Sequence, residues 1–267
     1  MNILLPTDFS QNANKATEIA FRLAKQSNGQ VTILHAYDLP YSDRSMTTSL
    51  LEVMKENAEG NMAEFETKIK AQYGDNYAVQ VRLGNPIRLI HEVSDQDDID
   101  MVVMGTKGAS GIEEILIGSN AASVIQNTNK PVMVIPPNAE LGTIQKIVFA
   151  SDLDPKVKSQ PLDRLREFAK VNNAEIDIVH VQGEQAPVDG SRDFYSKHME
   201  GVKHGYTILR DENVEKAITD EAQKEGADII AAITRRYGFF EGLFHRSMTN
   251  RLAYHSSLPL LVLHEPK

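Results

Sequence analysis

The chain has 267 residues, enough for one large domain or two of ordinary size. Its 37 acidic and 28 basic residues give a formal net charge of −9, which argues against non-specific binding to nucleic-acid phosphates. The absence of cysteine excludes disulfide bonds and thiolate metal sites. The apolar N-terminal run is too short for a signal peptide or a membrane span, so we expect a soluble, cytoplasmic protein with no membrane partner.

Apolar runs predict five strands in the first half of the chain, at residues 3–5, 31–36, 79–83, 101–104 and 132–135. Apolar residues at helical spacing predict four intervening helices, around residues 16–24, 50–69, 87–93 and 121–125. Ser10 is the expected N-cap of the first helix. Strands that alternate with helices predict a parallel sheet with right-handed crossovers. Such sheets bind ligands beyond the carboxyl ends of their strands.

The first half of the sequence recurs, in order, in the second half. The recurring stretches are NILLPTDFS (2–10) with KIVFASDLD (146–154), VTILHAYD (31–38) with IDIVHVQG (176–183), and KPVMVIP (130–136) with LPLLVLH (258–264). Ordered repetition predicts two copies of one domain. PPNAELGT (136–143) is typical of a connecting loop, so we expect domains over residues 1–138 and 144–267.

A glycine-rich loop follows the fourth predicted strand. It contains Gly105, Gly108, Gly111 and Gly118, and Ser119 then opens a predicted helix. Backbone N–H groups in such a loop form an anion nest, and a helix N-terminus adds free donors, so the loop suits a polyphosphate. The loop lacks the Gly-Lys-Ser/Thr of a P-loop and the glycine spacing of a dinucleotide fold. On the glycines alone, a loop without any ligand is an equally good interpretation.

PTDFS (6–10), LHAYD (34–38) and the Gly-x₂-Gly-x₉-Gly-Ser pattern of residues 105–119 together resemble the universal stress protein family. The resemblance extends to both halves and implies a tandem protein. For each domain it implies an α/β fold of the adenine nucleotide alpha hydrolase type. That fold has a five-stranded parallel sheet in the order 3-2-1-4-5 and helices on both faces. The resemblance also implies ATP binding, with Mg as a further candidate ligand.

The resemblance assigns roles residue by residue. Pro6, Thr7 and Asp8 match the segment that meets adenine and ribose, and the backbone of Ala36 matches the position at the adenine edge. The residues expected around the phosphates are Gly105, Lys107, Gly108, Gly118, Ser119 and Asn120. Lys107 either reaches a phosphate or points to solvent. No catalytic or metal-binding residue is assigned, because no nucleophile–base pair is evident, and His35 and His180 are interpreted as packed structural residues.

The second half lacks the glycines. Ile233 replaces Gly105, and Arg236 and Arg246 replace Gly108 and Gly118. We therefore expect no ATP in the second half, where an arginine-filled crevice is the first interpretation and a small-anion site the alternative. By this contrast the glycines are interpreted as requirements of the ligand rather than of the fold.

The leading functional hypothesis is an ATP-binding stress-response regulator with at most weak ATP hydrolysis. A scaffold without nucleotide and a slow adenine-nucleotide hydrolase remain alternatives. Because an open apolar edge strand invites pairing, the closing strands of the two halves, 132–135 and 260–263, are expected to join in an internal pseudo-dimer. A homodimer of the whole chain is left open.

Overall fold

The structure is a computed structural model that describes residues 1–38, 48–106, 118–140, 142–182, 190–234 and 258–266. These residues form two compact units, the first containing the described residues up to 130 and the second those from 131 onwards. The predicted domain limits at 138 and 144 stay a prediction. Within the described ranges, no helix has both the length and the apolar character needed to cross a membrane.

The first unit is a parallel sheet covered by helices. Its elements are β1 (Ile3–Pro6), α1 (Gln11–Gln26), β2 (Val31–Tyr37), α2 (Thr48–Tyr73), β3 (Tyr77–Leu83), α3 (Pro86–Ser94), β4 (Met101–Gly105) and α4 (Ser119–Asn127). Parallel pairs β2–β3, β1–β2 and β1–β4 give the order β3-β2-β1-β4. Helices α1 and α3 both pack on β1 and β2. The crossovers β1–α1–β2 and β3–α3–β4 run in opposite directions along the sheet, so with right-handed connections the two helices lie on opposite faces.

The second unit repeats this plan and adds a strand from the first half. Its elements are β5 (Val132–Ile135), β6 (Lys146–Ala150), α5 (Ser159–Asn172), β7 (Glu175–Val181), α6 (Ser191–His198), β8 (His204–Leu209), α7 (Val214–Lys224), β9 (Ile229–Thr234) and β10 (Leu260–His264). Parallel pairs give the order β8-β7-β6-β9-β10, the predicted 3-2-1-4-5 arrangement. Together the two units confirm the predicted tandem α/β fold.

Strand β5 pairs antiparallel with β10, with Met133 opposite Leu261 and Val132 opposite Val262. These are the two closing strands that the sequence analysis expects to meet. All four residues of β5 are buried, as are all five of β10. Continuous burial explains why both strands read as unbroken apolar runs rather than as alternating patterns.

The central strands owe their apolar sequences to burial on both faces. Ile3, Leu4 and Leu5 of β1 and Val102 and Val103 of β4 are fully buried. Helix α1 begins where predicted, because the Ser10 side chain accepts a hydrogen bond from the Ala13 N–H at 3.2 Å. This core holds the carboxyl ends of β1 and β4 side by side.

Candidate functional site

The carboxyl ends of β1 and β4 bring the first half's two predicted motifs together. Ile3 pairs with Met101 and Leu4 with Val102 in parallel register. Asp8 lies four residues beyond Leu4 (8 − 4 = 4) and Thr106 four beyond Val102 (106 − 102 = 4), so both chains leave the same edge of the sheet. Residues almost 100 positions apart in sequence therefore lie at the same edge of the sheet.

The turn after β1 is held by its own side chains. The Thr7 N–H donates to the Leu34 carbonyl at 2.9 Å, and the buried Thr7 hydroxyl oxygen accepts from the Phe9 N–H at 3.1 Å. The exposed Asp8 carboxylate accepts from the Ser10 N–H at 3.1 Å. Phe9 takes a left-handed conformation with φ 63°, which costs about 1–2 kcal/mol and needs this support. The turn fixes Asp8 at the mouth of the crevice.

His35 pins the same turn from β2. Its Nδ1 atom lies 2.9 Å from the Thr7 carbonyl oxygen. A carbonyl only accepts, so Nδ1 carries the proton. The His35 ring also packs on Phe9, with 4.4 Å between ring centroids. His35 is thus a structural residue, in agreement with its interpretation from sequence.

The N-terminus of α4 follows β4 at this edge of the sheet. The Gly118 N–H donates to the Thr106 carbonyl at 2.6 Å, so the two ends of the glycine-rich loop meet beside β4. The side chains of Ser10 and Asn85 cap α1 and α3, whereas no described side chain caps α4, as is also the case for α5 and α6. First-turn N–H groups without a side-chain cap, at the positive end of a helix dipole, form an anion-binding site.

Gly105 and Gly118, two of the motif glycines, differ in whether their surroundings require a glycine. A Cβ on Gly105 would lie 2.8 Å from Cγ and Oδ1 of Asn12 and 3.1 Å from the Asn12 backbone carbon. Packing against α1 therefore requires glycine there, and assigning Gly105 to the ligand alone is incomplete. Gly118 has φ −58° and ψ 148°, a conformation open to any residue. Its backbone conformation therefore gives no reason for glycine at this position.

The structure places most of the predicted ligand-binding residues at this edge. Pro6 ends β1 and Ala36 is the penultimate residue of β2, opposite Arg82 of β3. Ser119 and Asn120 open α4. Lys107 and Gly108 lie outside the described residues, so their positions stay predictions.

A cleft of about 420 Å³ opens beside Asp8, between α1 and α2. Its walls combine aromatic rings with amides and charges. The lining residues are Asp8, Phe9, Asn14, Thr17, Asn61, Glu64, Phe65, Lys68, Ile69, Gln72 and Tyr73. The cleft offers a planar polar group both stacking surfaces and hydrogen-bond partners next to the Asp8 carboxylate.

The second unit keeps the turn but changes the β4 position. The Ser151 hydroxyl oxygen accepts from the Leu153 N–H at 3.0 Å, and Asp152 accepts from the Asp154 N–H at 3.1 Å. Leu153 repeats the left-handed conformation, with φ 56°. Ile233, which takes the place of Gly105, is buried. The arginines at 235, 236 and 246 lie outside the described residues.

Sequence reasoning missed one serine–histidine contact. Ser196 Oγ of α6 lies 3.2 Å from Nε2 of His204, the first residue of β8. The two residues are only eight positions apart (204 − 196 = 8), but a helix end and a turn separate them. The signal in the sequence that could have indicated this contact is the change from helical spacing around Ser196 to strand spacing from His204 onwards. Among the described residues, no cluster of three histidine, aspartate or glutamate side chains could hold a metal ion.

The fold defines an α/β protein built from two copies of one domain. The model of the universal stress protein family matches residues 1–136 and 195–264. The chain therefore belongs to the universal stress protein family.

Known proteins resemble both one half and the whole of the chain. A universal stress protein of Methanocaldococcus jannaschii is 30% identical over 137 residues, which cover 50% of this chain and 80% of that protein. One from Mycolicibacterium smegmatis is 20% identical over 98% of this chain and 96% of its own. The crystal structure of a universal stress protein from Archaeoglobus fulgidus matches with a TM-score of 0.79 at 24% identity, covering 99% of this chain and 98% of that one. This last likeness shows a shared tandem fold.

Proposed function

We propose that the first unit binds ATP at the carboxyl edge of β1 and β4, and that occupancy of this crevice is the signal of a stress-response regulator. The observation that carries the proposal is that β1, which leads to Asp8, and β4, which precedes the uncapped N-terminus of α4, run parallel and end at the same edge of the sheet. Family membership and the first-half glycine pattern support it.

The phosphates would bind at the N-terminus of α4. The N–H groups of Ser119 and Asn120 are oriented as donors by the first helical turn. Each hydrogen bond to a charged phosphate contributes about 1.5–3 kcal/mol. Micromolar affinity needs only about 8 kcal/mol in total, so a few such bonds and a buried base are sufficient. Lys107, Gly108 and a bound Mg ion are further proposed contributors on the phosphate side.

The nucleoside would bind along the β1–β2 side of the crevice. The Asp8 carboxylate accepts hydrogen bonds and suits a ribose hydroxyl. Pro6, Thr7 and the backbone of Ala36 would line the base, with the cleft between α1 and α2 offering additional space. This arrangement gives the adenine an apolar wall and the sugar a polar partner.

Calorimetric titration of the purified chain with ATP tests the proposal. We expect one ATP per chain. Gly118→Arg should weaken binding by about a hundredfold or more, because the side chain fills the phosphate space and removes at least two charge-assisted bonds. Gly142→Arg is the matched control, since a Cβ there meets no atom within 4 Å. Equal ATP affinity of both variants, or two equivalent sites per chain, would contradict the proposal.

A further inference from the structure

Helix α6 and strand β8 of the second unit place a serine against a histidine. Ser196 Oγ lies 3.2 Å from His204 Nε2, and His204 Nδ1 lies 2.9 Å from the Val202 carbonyl oxygen. Because the carbonyl can only accept, Nδ1 carries the proton and Nε2 presents its lone pair to the serine hydroxyl. A nucleophile, a base and a group that orients the base are the three parts of an activated-nucleophile site.

Two more side chains complete the cluster. Arg192 and Ser196 are four residues apart on α6 (196 − 192 = 4) and so share one helix face. His204 and Tyr206 are two apart on β8 (206 − 204 = 2) and share one strand face. The Arg192 guanidinium lies over the Tyr206 ring, with its central carbon 5.7 Å from the ring centroid. The cation thus lies over the ring whose hydroxyl contacts Ser196.

The cluster is accessible but partly shielded. Ser196, His204 and Tyr206 are half-buried, and Arg192 is exposed. Partial burial strengthens the hydrogen bonds that orient the base, while the exposed part of the cluster remains in contact with solvent. The ATP crevice of the first unit supplies none of these side chains.

We propose that Ser196 is the nucleophile and His204 the general base of an acyl-transfer site that accepts small carboxylic esters. This activity goes beyond the proposed ATP binding and does not depend on it.

The chemical step balances within the cluster. Ser196 Oγ forms a bond to the ester carbonyl carbon as its proton passes to His204 Nε2. The bond between that carbon and the leaving alcohol then breaks, and the alcohol oxygen takes the proton from His204. Water hydrolyses the acyl-serine by the same route and releases the carboxylic acid. The Arg192 guanidinium is the group placed to offset the negative charge that develops on the carbonyl oxygen.

The contacts of Tyr206 lead to a prediction that distinguishes a catalytic role of Ser196 and His204 from a structural one. Its hydroxyl donates to the Arg192 carbonyl at 2.8 Å and lies 3.0 Å from Ser196 Oγ. Burial raises the pKa of Tyr206, so the phenol keeps its proton. With that proton directed to Arg192, the phenol can only accept from Ser196. It thus competes with His204 for the serine proton and restrains the nucleophile.

Intact-protein mass spectrometry of the full chain exposed to p-nitrophenyl acetate tests the site. We expect one acetyl group on Ser196 and release of nitrophenol. Ser196→Ala should abolish this labelling, and His204→Ala should slow it by about a hundredfold, the usual contribution of a general base. Ser159→Ala and His91→Ala are controls on an exposed serine and a histidine remote from the cluster, and they should leave the rate unchanged.

Two further readouts discriminate a catalytic from a structural role. Imidazole should restore the rate of His204→Ala, and Tyr206→Phe should raise the rate several-fold. Acetylation that maps elsewhere, a Ser196→Ala rate equal to wild type, or a Tyr206→Phe rate below wild type would overturn the proposal. ATP titration of the same variants should be unchanged, which separates this outcome from any failure of the first-unit site.

Discussion

The two units keep the same turn after their first strand and differ in the helix that follows. Helix α1 begins three residues after Asp8 (11 − 8 = 3), whereas α5 begins seven residues after Asp152 (159 − 152 = 7). The early turn of α1 brings Asn12 against Gly105. In the second unit that helical turn is missing, and the larger Ile233 is buried at the corresponding position.

The comparison separates requirements of the fold from requirements of a ligand. The aspartate turn, its left-handed residue and the histidine that pins it occur in both units, so the fold requires them. The glycine at position 105 is required by the extra turn of α1, which packs Asn12 against it. Gly118 has neither a backbone conformation that needs glycine nor a counterpart glycine, and it remains the residue most specific to the proposed ligand.

The largest effect should come from giving the second unit the first unit's glycine. Ile233→Gly removes a buried side chain from β9 and adds backbone freedom. We expect a loss of about 4 kcal/mol in the free energy of unfolding, from the cavity and the flexible residue together. Urea denaturation monitored by circular dichroism measures it. A loss below about 1 kcal/mol would mean that Ile233 does not fill the space that the shorter helix leaves.

Adding a side chain at Gly105 should lower the free energy of unfolding by less than removing the side chain of Ile233 does. Gly105→Ala places a Cβ against both the side chain and the backbone of Asn12, and we expect destabilisation by about 1–3 kcal/mol. Gly142→Ala is the control, because a Cβ there meets open space. The same denaturation measurement applies. Equal stability of the two variants would show that α1 can shift away from β4 without cost.

The two histidines should contribute equally. The Nδ1–carbonyl distances are 2.9 Å for His35 and 3.0 Å for His180. Replacing either histidine with alanine removes one such hydrogen bond, and we expect each variant to lose about 1 kcal/mol. Differential scanning calorimetry of both variants makes the comparison. A loss confined to His35→Ala would assign that histidine a role outside the shared fold.

The smallest expected effect on stability is at Asp177 of β7. Asp177 pairs in register with Val148, just as Thr32 pairs with Leu4 in the first unit. Burial, the largest cause, raises the pKa of Asp177, although Thr207 donates hydrogen bonds to it. A carboxyl whose pKa is higher in the folded state stabilises the fold in its protonated form. That contribution is complete below the unfolded pKa and is lost as the pH rises through the folded pKa.

Replacing Asp177 with the first unit's threonine should therefore flatten the dependence of stability on pH in the acid range. Over this pH range, we expect the change in the free energy of unfolding to differ between the variant and the wild type by less than about 1 kcal/mol, because the Asp177 side chain is partly exposed to solvent. Urea midpoints measured from pH 3 to pH 7 provide the test. An unchanged slope would mean that the threonine hydroxyl of Thr207 compensates the burial of Asp177 fully.

Much of this fold could be predicted from the sequence because buried parallel strands leave continuous apolar runs. The fourth strand, predicted at 101–104, is observed at Met101–Gly105, and the third, predicted at 79–83, begins two residues earlier at Tyr77. The edge strand β3 is only half-buried, so its first residues lack the apolar signal. Pairing of β5 with β10 was also predictable, since two unpartnered apolar edges recur at matched positions.

The site was less predictable where it depends on contacts between elements. Asp8 and the glycine pattern were recognisable because each lies in a contiguous motif. The packing of Asn12 on Gly105 depends on the relative positions of α1 and β4, which no local pattern encodes. The Ser196–His204 pair was missed for a similar reason, because its spacing passes from a helical period to a strand period.

The antiparallel pairing of β5 and β10 also affects biosynthesis. On the ribosome, Ile135 emerges 125 residues before Leu260 (260 − 135 = 125), so β5 waits for its partner while the rest of the second unit is translated. At ordinary elongation rates this delay is on the order of ten seconds. During that time the edge of β5 that later pairs with β10 has no partner, and an unpaired apolar strand edge can template pairing with another chain.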